Sequence, residues 1–254
     1  MGFIQRSHLA VLALKNSSGI DYTQDANCMG AWYMNNNGGD ETDRSGEGET
    51  LTQASGTIPT SATVPSGYSG TSRDFEAGDT EHLSHVDEGS TEINGANQAI
   101  TLAAWVKLES LSADGVAISK WDTGSERQYR LYYESSDSKL YFVLSDNGTN
   151  ETNCVSNTSF SGDTDWHHIA AVYNDTDMRI YIDGSLDSNG ADNPKTYSAG
   201  IDNSTSQFRL GADINGNRLD GLLDEVAIFD RELSSTEISN LYNDGISGNK
   251  GGND

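Results

Sequence analysis

The chain has 254 residues, 34% of them hydrophobic, with 27 Gly against 3 Pro. That is enough for one large β-sandwich, with many tight turns joining short strands. Asp and Glu number 39 against 15 Lys and Arg, for a net charge of −24, so the surface repels phosphate backbones and anionic lipid. Nucleic acid and membrane surfaces are therefore poor partners, and divalent cations are better ones.

Residues 1–27 read as an arm, in which Leu9-Ala-Val-Leu-Ala-Leu14 is a short apolar strand candidate. The same run is at the lower length limit for a signal h-region and no small-x-small cleavage site follows it, so no Sec-type signal peptide is recognised. No segment is long enough to span a bilayer. Met29-Gly-Ala-Trp-Tyr-Met34 is the next strand candidate, followed by loop chemistry rich in Asn, Gly, Asp and Glu over 35–50. Residues 54–72 form a Ser/Thr/Gly/Pro loop holding Pro59 and Pro65.

The middle reads as a meander of short strands: Ile100–Leu108, Gly115–Trp121, Gln128–Tyr133 and Lys139–Leu144. Each is bounded by Gly, Ser, Asp or Asn at the spacing of a sandwich, and Leu102, Ala104, Val106 and Leu108 share one face. Asp165-Trp-His-His-Ile-Ala-Ala-Val-Tyr173 and Met178-Arg-Ile-Tyr-Ile-Asp-Gly184 read as a hairpin. Gln207–Asp213 follows, and then Leu222–Phe229, a strand that runs into a helix opened by the capping box Ser234-x-x-Glu237. Ile238, Leu241 and Tyr242 fall on one face of that helix. Cys28 and Cys154, the only cysteines, show neither metal spacing nor CxxC, which leaves one disulfide or two free thiols.

The order of segments from Asp165 to Ile238 resembles the laminin-G-like, concanavalin A-like jelly-roll domain of lectins, adhesion modules and glycan-processing proteins. The Trp-containing strand ahead of an acidic, glycine-rich loop is similar to the opening of the same family. The resemblance implies an all-β, antiparallel two-sheet β-sandwich over residues 28–245 with a short C-terminal helix, preceded by the arm 1–27 and followed by the tail 246–254. It also makes Arg73–Asp79 and Glu81–Val86 the family's next hairpin.

Asp224 is the strongest functional candidate. Strand alternation sets it beside Val226 and Ile228, and an unpaired buried carboxylate there costs several kcal/mol. A Ca²⁺ ion relieves that cost. The resemblance implies a structural calcium held by the equivalent Asp with backbone oxygens of the early hairpin, here Gly78 and Asp79. The alternative is an ion pair with Arg231 or a contact with a backbone N–H. His167 and His168 point to opposite faces of a strand, as do His82 and His85, so neither pair is a metal site. Sandwich glycosidases carry closely spaced carboxylates on one strand. Glu41-Thr-Asp43 is the nearest approach and lies in a loop, and no lyase set, Gly-x-Ser-x-Gly elbow, P-loop or His-Glu-x-x-His is present.

Trp121, Tyr132 and Tyr181 lie off the core parity of their strands or at a strand end, where a ring can stack on the apolar face of a sugar; cross-strand packing is the plainer role. The leading expectation is a non-catalytic, carbohydrate-binding module with a structural calcium on an extracellular or particle surface. A structural virion protein that assembles with itself or other chains is the second, and a glycan-active hydrolase or lyase the third.

Overall fold

The structure is a computed structural model that describes residues 19–54, 56–86, 99–248 and 250. The strand candidate Leu9–Leu14 and the end of the tail lie outside the described residues. The rest is the expected antiparallel two-sheet sandwich with one helix near its C-terminal end.

The strands are β1 (Cys28–Trp32), β2 (Thr52–Ala54), β3 (Thr60–Ser61), β4 (Ser72–Phe75), β5 (His82–His85), β6 (Ile100–Leu108), β7 (Gly115–Trp121) and β8 (Arg127–Glu134). They continue as β9 (Lys139–Leu144), β10 (Thr152–Val155), β11 (Trp166–Tyr173), β12 (Asp177–Ile182), β13 (Ser185–Leu186), β14 (Lys195–Thr196), β15 (Phe208–Leu210) and β16 (Gly221–Phe229). One sheet runs β13-β12-β11-β6-β16-β4-β3, with β1 also on β16 and β14 on β12; the other runs β10-β9-β8-β7-β15-β5-β2. The hairpin of β11 and β12 forms in the register Ile169↔Ile182 to Tyr173↔Met178.

Two expectations about pairing change. Residues 73–86 do not make a hairpin: β4 joins β3 and β16 in the first sheet, whereas β5 joins β2 and β15 in the second. The meander is β7 to β10 alone, because β6 sits at the centre of the first sheet between β11 and β16. Both segments alternate as strands must, but alternation does not say which sheet a strand enters.

The main core lies between the sheets, where Leu102, Ala104, Val106 and Leu108 meet Leu131, Tyr133, Phe142 and Leu144. Trp32 of the first sheet stacks on Phe208 of the second at 5.5 Å and donates from Nε1 to the Glu49 carbonyl at 2.8 Å. Gly211 (φ 82) ends β15 against the Phe75 ring, which leaves no room for a Cβ.

A second apolar cluster covers the outer face of the first sheet. Ala103, Ala170, Val172 and Ala227 there present small side chains to Ile238 and Leu241 of α1 (Ser235–Asp244). The capping box forms as read: Ser234 accepts from Glu237 N–H, and Glu237 accepts from Ser234 N–H at 2.7 Å. Tyr22 and Ile246 belong to this cluster, and Tyr22 N–H donates to the Ile246 carbonyl at 2.8 Å. The packed unit thus extends past residues 28 and 245 at both ends.

Cys28 and Cys154 are both free and buried. Cys28 belongs to the cluster under the helix and Cys154 to the core between the sheets. Burial pushes both thiols up to about 12. A thiol reagent at pH 8 is therefore expected to titrate neither in the folded protein and both in denaturant; one fast-reacting thiol under native conditions would contradict this packing.

Candidate functional site

Among the described residues no helix lies over the outer face of the second sheet, which carries a third cluster of Val116, Trp121, Tyr132 and Val143, with Tyr141 packed against it. Its residues leave the strands between core positions: Tyr132 between Leu131 and Tyr133, Tyr141 between Leu140 and Phe142. The Arg130 guanidinium lies 5.2 Å from the Trp121 ring centre and 4.1 Å from that of Tyr132, so one cation spans two aromatic faces. Arg130 Nη1 reaches Asp213 at 3.0 Å. Tyr141 stands 5.4 Å from Tyr132, and the two phenols donate to Asp137 and Glu134 respectively. Burial raises the Tyr132 phenol and pushes that of Tyr141 up to about 12, so both stay protonated at neutral pH.

Trp121 and Tyr132 thus share a face, but neither ring stands free. They are 3% and 6% exposed, covered by Arg130 and each other's neighbours. Tyr141 is the more accessible ring. Tyr181 is elsewhere: it packs with Ala170, Ile238 and Leu241 beneath α1 and is 7% exposed. Parity places it off the main core correctly, but the helix then buries it. Arg130, Tyr141 and Arg209 are site residues that the sequence reading misses. The parity that singles out Tyr132 also finds them, since each lies between two core residues.

Asp224 sits where β16 changes partners. Leu222 and Leu223 pair with β4, and Val226 onward pairs with β1. A bulge falls between Asp224 and Ala227 against β6, and Glu225 adopts φ 48, a left-handed conformation rare for a residue with a side chain. The bulge breaks the alternation read from sequence: Asp224 pairs with Trp105, while Val226 and Ile228 face the main core. Asp224 is 4% exposed and accepts from the N–H of Glu225 at 2.9 Å. Burial, then the charges of Glu225 and Glu41, raise its carboxyl well above the usual range. Burial also pushes Glu225 and Glu41 up to about 7. Arg231 pairs instead with Asp25 and Glu237.

A carboxylate is a donor a hard cation takes, but Glu41 is held by Arg73 and Glu225 by the N–H of Ile246, so the three buried acids do not form one donor set. The early hairpin does not join Asp224. Phe75 pairs with Gly221, three residues from Asp224, and the chain then runs on away from Asp224. Gly78 and Asp79 are exposed beyond that end, in a turn closed by Asp79 N–H to the Glu76 carbonyl at 3.1 Å. Among the described residues no three His, Cys, Asp or Glu side chains are gathered about one point in metal-binding geometry.

The remaining sequence candidates have structural employment. His167 bridges Asp183 at 2.9 Å and Asp163 at 3.2 Å, and the bond to Asp183 raises its pKa. His168 is buried beside Trp105 and pushed down to about 4, hence neutral. Glu41 pairs with Arg73 at 3.3 Å. Asp43 accepts from the N–H groups of Ala31, Ser45, Gly48 and Glu49, holding the 43–49 loop on β1.

The profile of the concanavalin A-like lectin/glucanases superfamily matches residues 78–239, more than half of the chain. The chain belongs to that superfamily. No curated protein sequence matches it. Among solved structures, superfamily-like sandwiches align at low identity. The binding domain of botulinum neurotoxin DC, solved with rat synaptotagmin II, superposes with a TM-score of 0.63 at 16% identity, over 85% of this chain and 51% of that one. The binding domain of Paraclostridial Mosquitocidal Protein 1 gives 0.63 at 15%, over 87% and 52%. The chain thus spans about half the length of these toxin domains. Domain 4 of AbnA, a GH43 extracellular arabinanase from Geobacillus stearothermophilus solved with arabinotriose, gives 0.62 at 15% identity, over 85% of this chain and 98% of that one. These likenesses show the sandwich fold. No helix among the described residues is long and apolar enough to cross a membrane.

Proposed function

We propose that this superfamily member is a non-catalytic module that binds carbohydrate on the outer face of its second sheet, and that it works on an extracellular or particle surface. The observation that carries the reading is the accessible Tyr141 ring, backed by the stack of Arg130 on the buried Trp121 and Tyr132 rings, on a sheet face that no helix among the described residues covers. A sugar ring has an apolar face that such rings accept and hydroxyls that Arg130, Glu134 and Asp137 can meet. The arabinanase domain solved with arabinotriose and the botulinum type C structure described by its interaction with two gangliosides support this direction by likeness of fold.

The same proposal includes a Ca²⁺ ion at Asp224, whose buried carboxylate it would compensate. Bound there, the ion would supply charge compensation and no chemistry.

A glycan array followed by calorimetry on the hits tests the binding role. Tyr141→Ala, at the accessible edge of the platform, is expected to weaken binding about tenfold with an unchanged melting temperature, the size of one lost aromatic contact. An array without hits, or a Tyr141→Ala protein that binds like the parent, would count against the platform.

A further inference from the structure

We propose that this face selects acidic glycans, with Arg209 receiving the carboxylate of a uronic-acid residue. The inference rests on the glycan-binding reading and narrows its ligand. Arg209 lies on β15 between Phe208 and Leu210, both core residues, so its side chain leaves on the open face. The register Ser84↔Arg209↔Ser119↔Arg130 puts a serine on either side of it and sets it two strands from Arg130. At strand spacing that is about 10 Å, within the length of a disaccharide laid across the strands.

The Arg209 guanidinium has no ion pair among the described residues. Its Nε donates to Gln207 at 3.1 Å, and among the described residues neither Nη has an acceptor or a carboxylate partner. Acids outnumber bases 39 to 15 in this chain, and arginines here normally hold a carboxylate. Arg73 has Glu41, Arg127 has Glu151, Arg130 has Asp213, Arg179 has Glu232, and Arg231 has Asp25 and Glu237. Arg44, which lies over the Tyr33 ring, and Arg218 are also without an ion pair among the described residues; Arg218 lies near enough that it and Arg209 both bear on His82. Asp122 and Asp213 both act on Arg209 through charge without pairing with it: Asp122 accepts from the N–H and hydroxyl of Thr123, while Asp213 is buried, holds Arg130 and accepts from the N–H and side-chain amide of Asn217.

A planar guanidinium with Nε tied back and both Nη open is the geometry that takes a carboxylate through two parallel hydrogen bonds. The accessible Tyr141 ring, on β9 beyond Arg130 and three strands from Arg209, is placed to carry a further sugar ring of the same chain. The two halves together describe a charged sugar and a stacked one along one chain. The surrounding −24 charge opposes any polyanion that does not fit the fork, which sharpens the selection.

The experiment uses oligogalacturonate and the same oligomer after its carboxylates have been reduced to primary alcohols, titrated into the parent protein, Arg209→Gln and Arg209→Lys. The expected result is binding of oligogalacturonate that falls tenfold or more on carboxyl reduction and equally in Arg209→Gln, with Arg209→Lys between and melting temperatures unchanged. Equal binding of the reduced oligomer by the parent overturns the selection for acid while leaving a glycan-binding module. Equal binding of polyglutamate overturns it too, since charge alone would then suffice. Absence of binding to any acidic or neutral glycan defeats both this inference and the function beneath it.

Discussion

In the presence of chelator, raising the pH from 5 to 8 is expected to lower the melting temperature substantially, and Glu225→Gln to remove much of that loss. Glu225 and Glu41 are pushed from 4.5 to about 7, and Asp224 well above its ordinary 3.8. In the unfolded chain these groups ionise near pH 4, whereas in the folded chain Glu225 and Glu41 keep their protons to near pH 7 and Asp224 keeps its proton well above its ordinary range. Stability is therefore full below about pH 4, declines as pH rises between the two values, and is lowest above about pH 7. For Glu225 the shift corresponds to about 3 kcal/mol, or roughly 10 °C in a domain of this size. The amide introduced by Glu225→Gln would stay neutral, and its oxygen can still accept from the N–H of Ile246, which Glu225 holds at 2.7 Å. If calcium binds at Asp224, millimolar Ca²⁺ raises the melting temperature at pH 8 far more than at pH 5. Calorimetry across this pH range, with and without Ca²⁺, measures all three. A flat profile would refute the burial argument, and Ca²⁺ indifference at pH 8 would remove the ion.

Arg73→Met is expected to cost about 3–5 kcal/mol at neutral pH, enough to lower the melting temperature by roughly 10 °C or more. Arg73 is fully buried, pairs with Glu41 at 3.3 Å, and donates to the carbonyls of Asn36 and Gly39. It also meets Gln53 Oε1 at 3.2 Å, so one side chain ties β4, β2 and the 36–41 loop together. Removing it leaves the buried Glu41 carboxylate without its cation. The loss should shrink below about pH 7, where Glu41 takes up a proton, and the double variant Arg73→Met/Glu41→Gln should recover part of it at pH 8. A loss independent of pH, unrelieved by the second substitution, would assign the effect to packing instead.

The sandwich is legible in the sequence because its signals are local. Alternation at Leu102 to Leu108, the β11–β12 hairpin and the Ser234–Glu237 cap depend on neighbours in sequence. Partnership between strands is not local, which is why residues 73–86 read as a hairpin although their strands enter different sheets. The site is legible in half. Parity finds Trp121 and Tyr132, and it also selects Arg130, Tyr141 and Arg209. It does not foresee that α1 covers Tyr181, because that depends on where a distant helix docks. Asp224 stands out for a sound reason, the cost of a buried charge. Its facing differs from the alternation because the bulge at Glu225 adds a residue that no composition signal marks.

The hydrogen bond between Tyr22 and Ile246 brings the two ends of the packed unit side by side on the helix-covered face. The packed unit therefore begins and ends at neighbouring points, on the face of the sandwich opposite the one that carries Arg209 and the aromatic stack. Grafted into a surface loop of another protein, such a unit adds little separation between the loop's ends and turns its recognition face outward. Two copies in tandem can each keep that face unobstructed, so avidity is available through linker length alone.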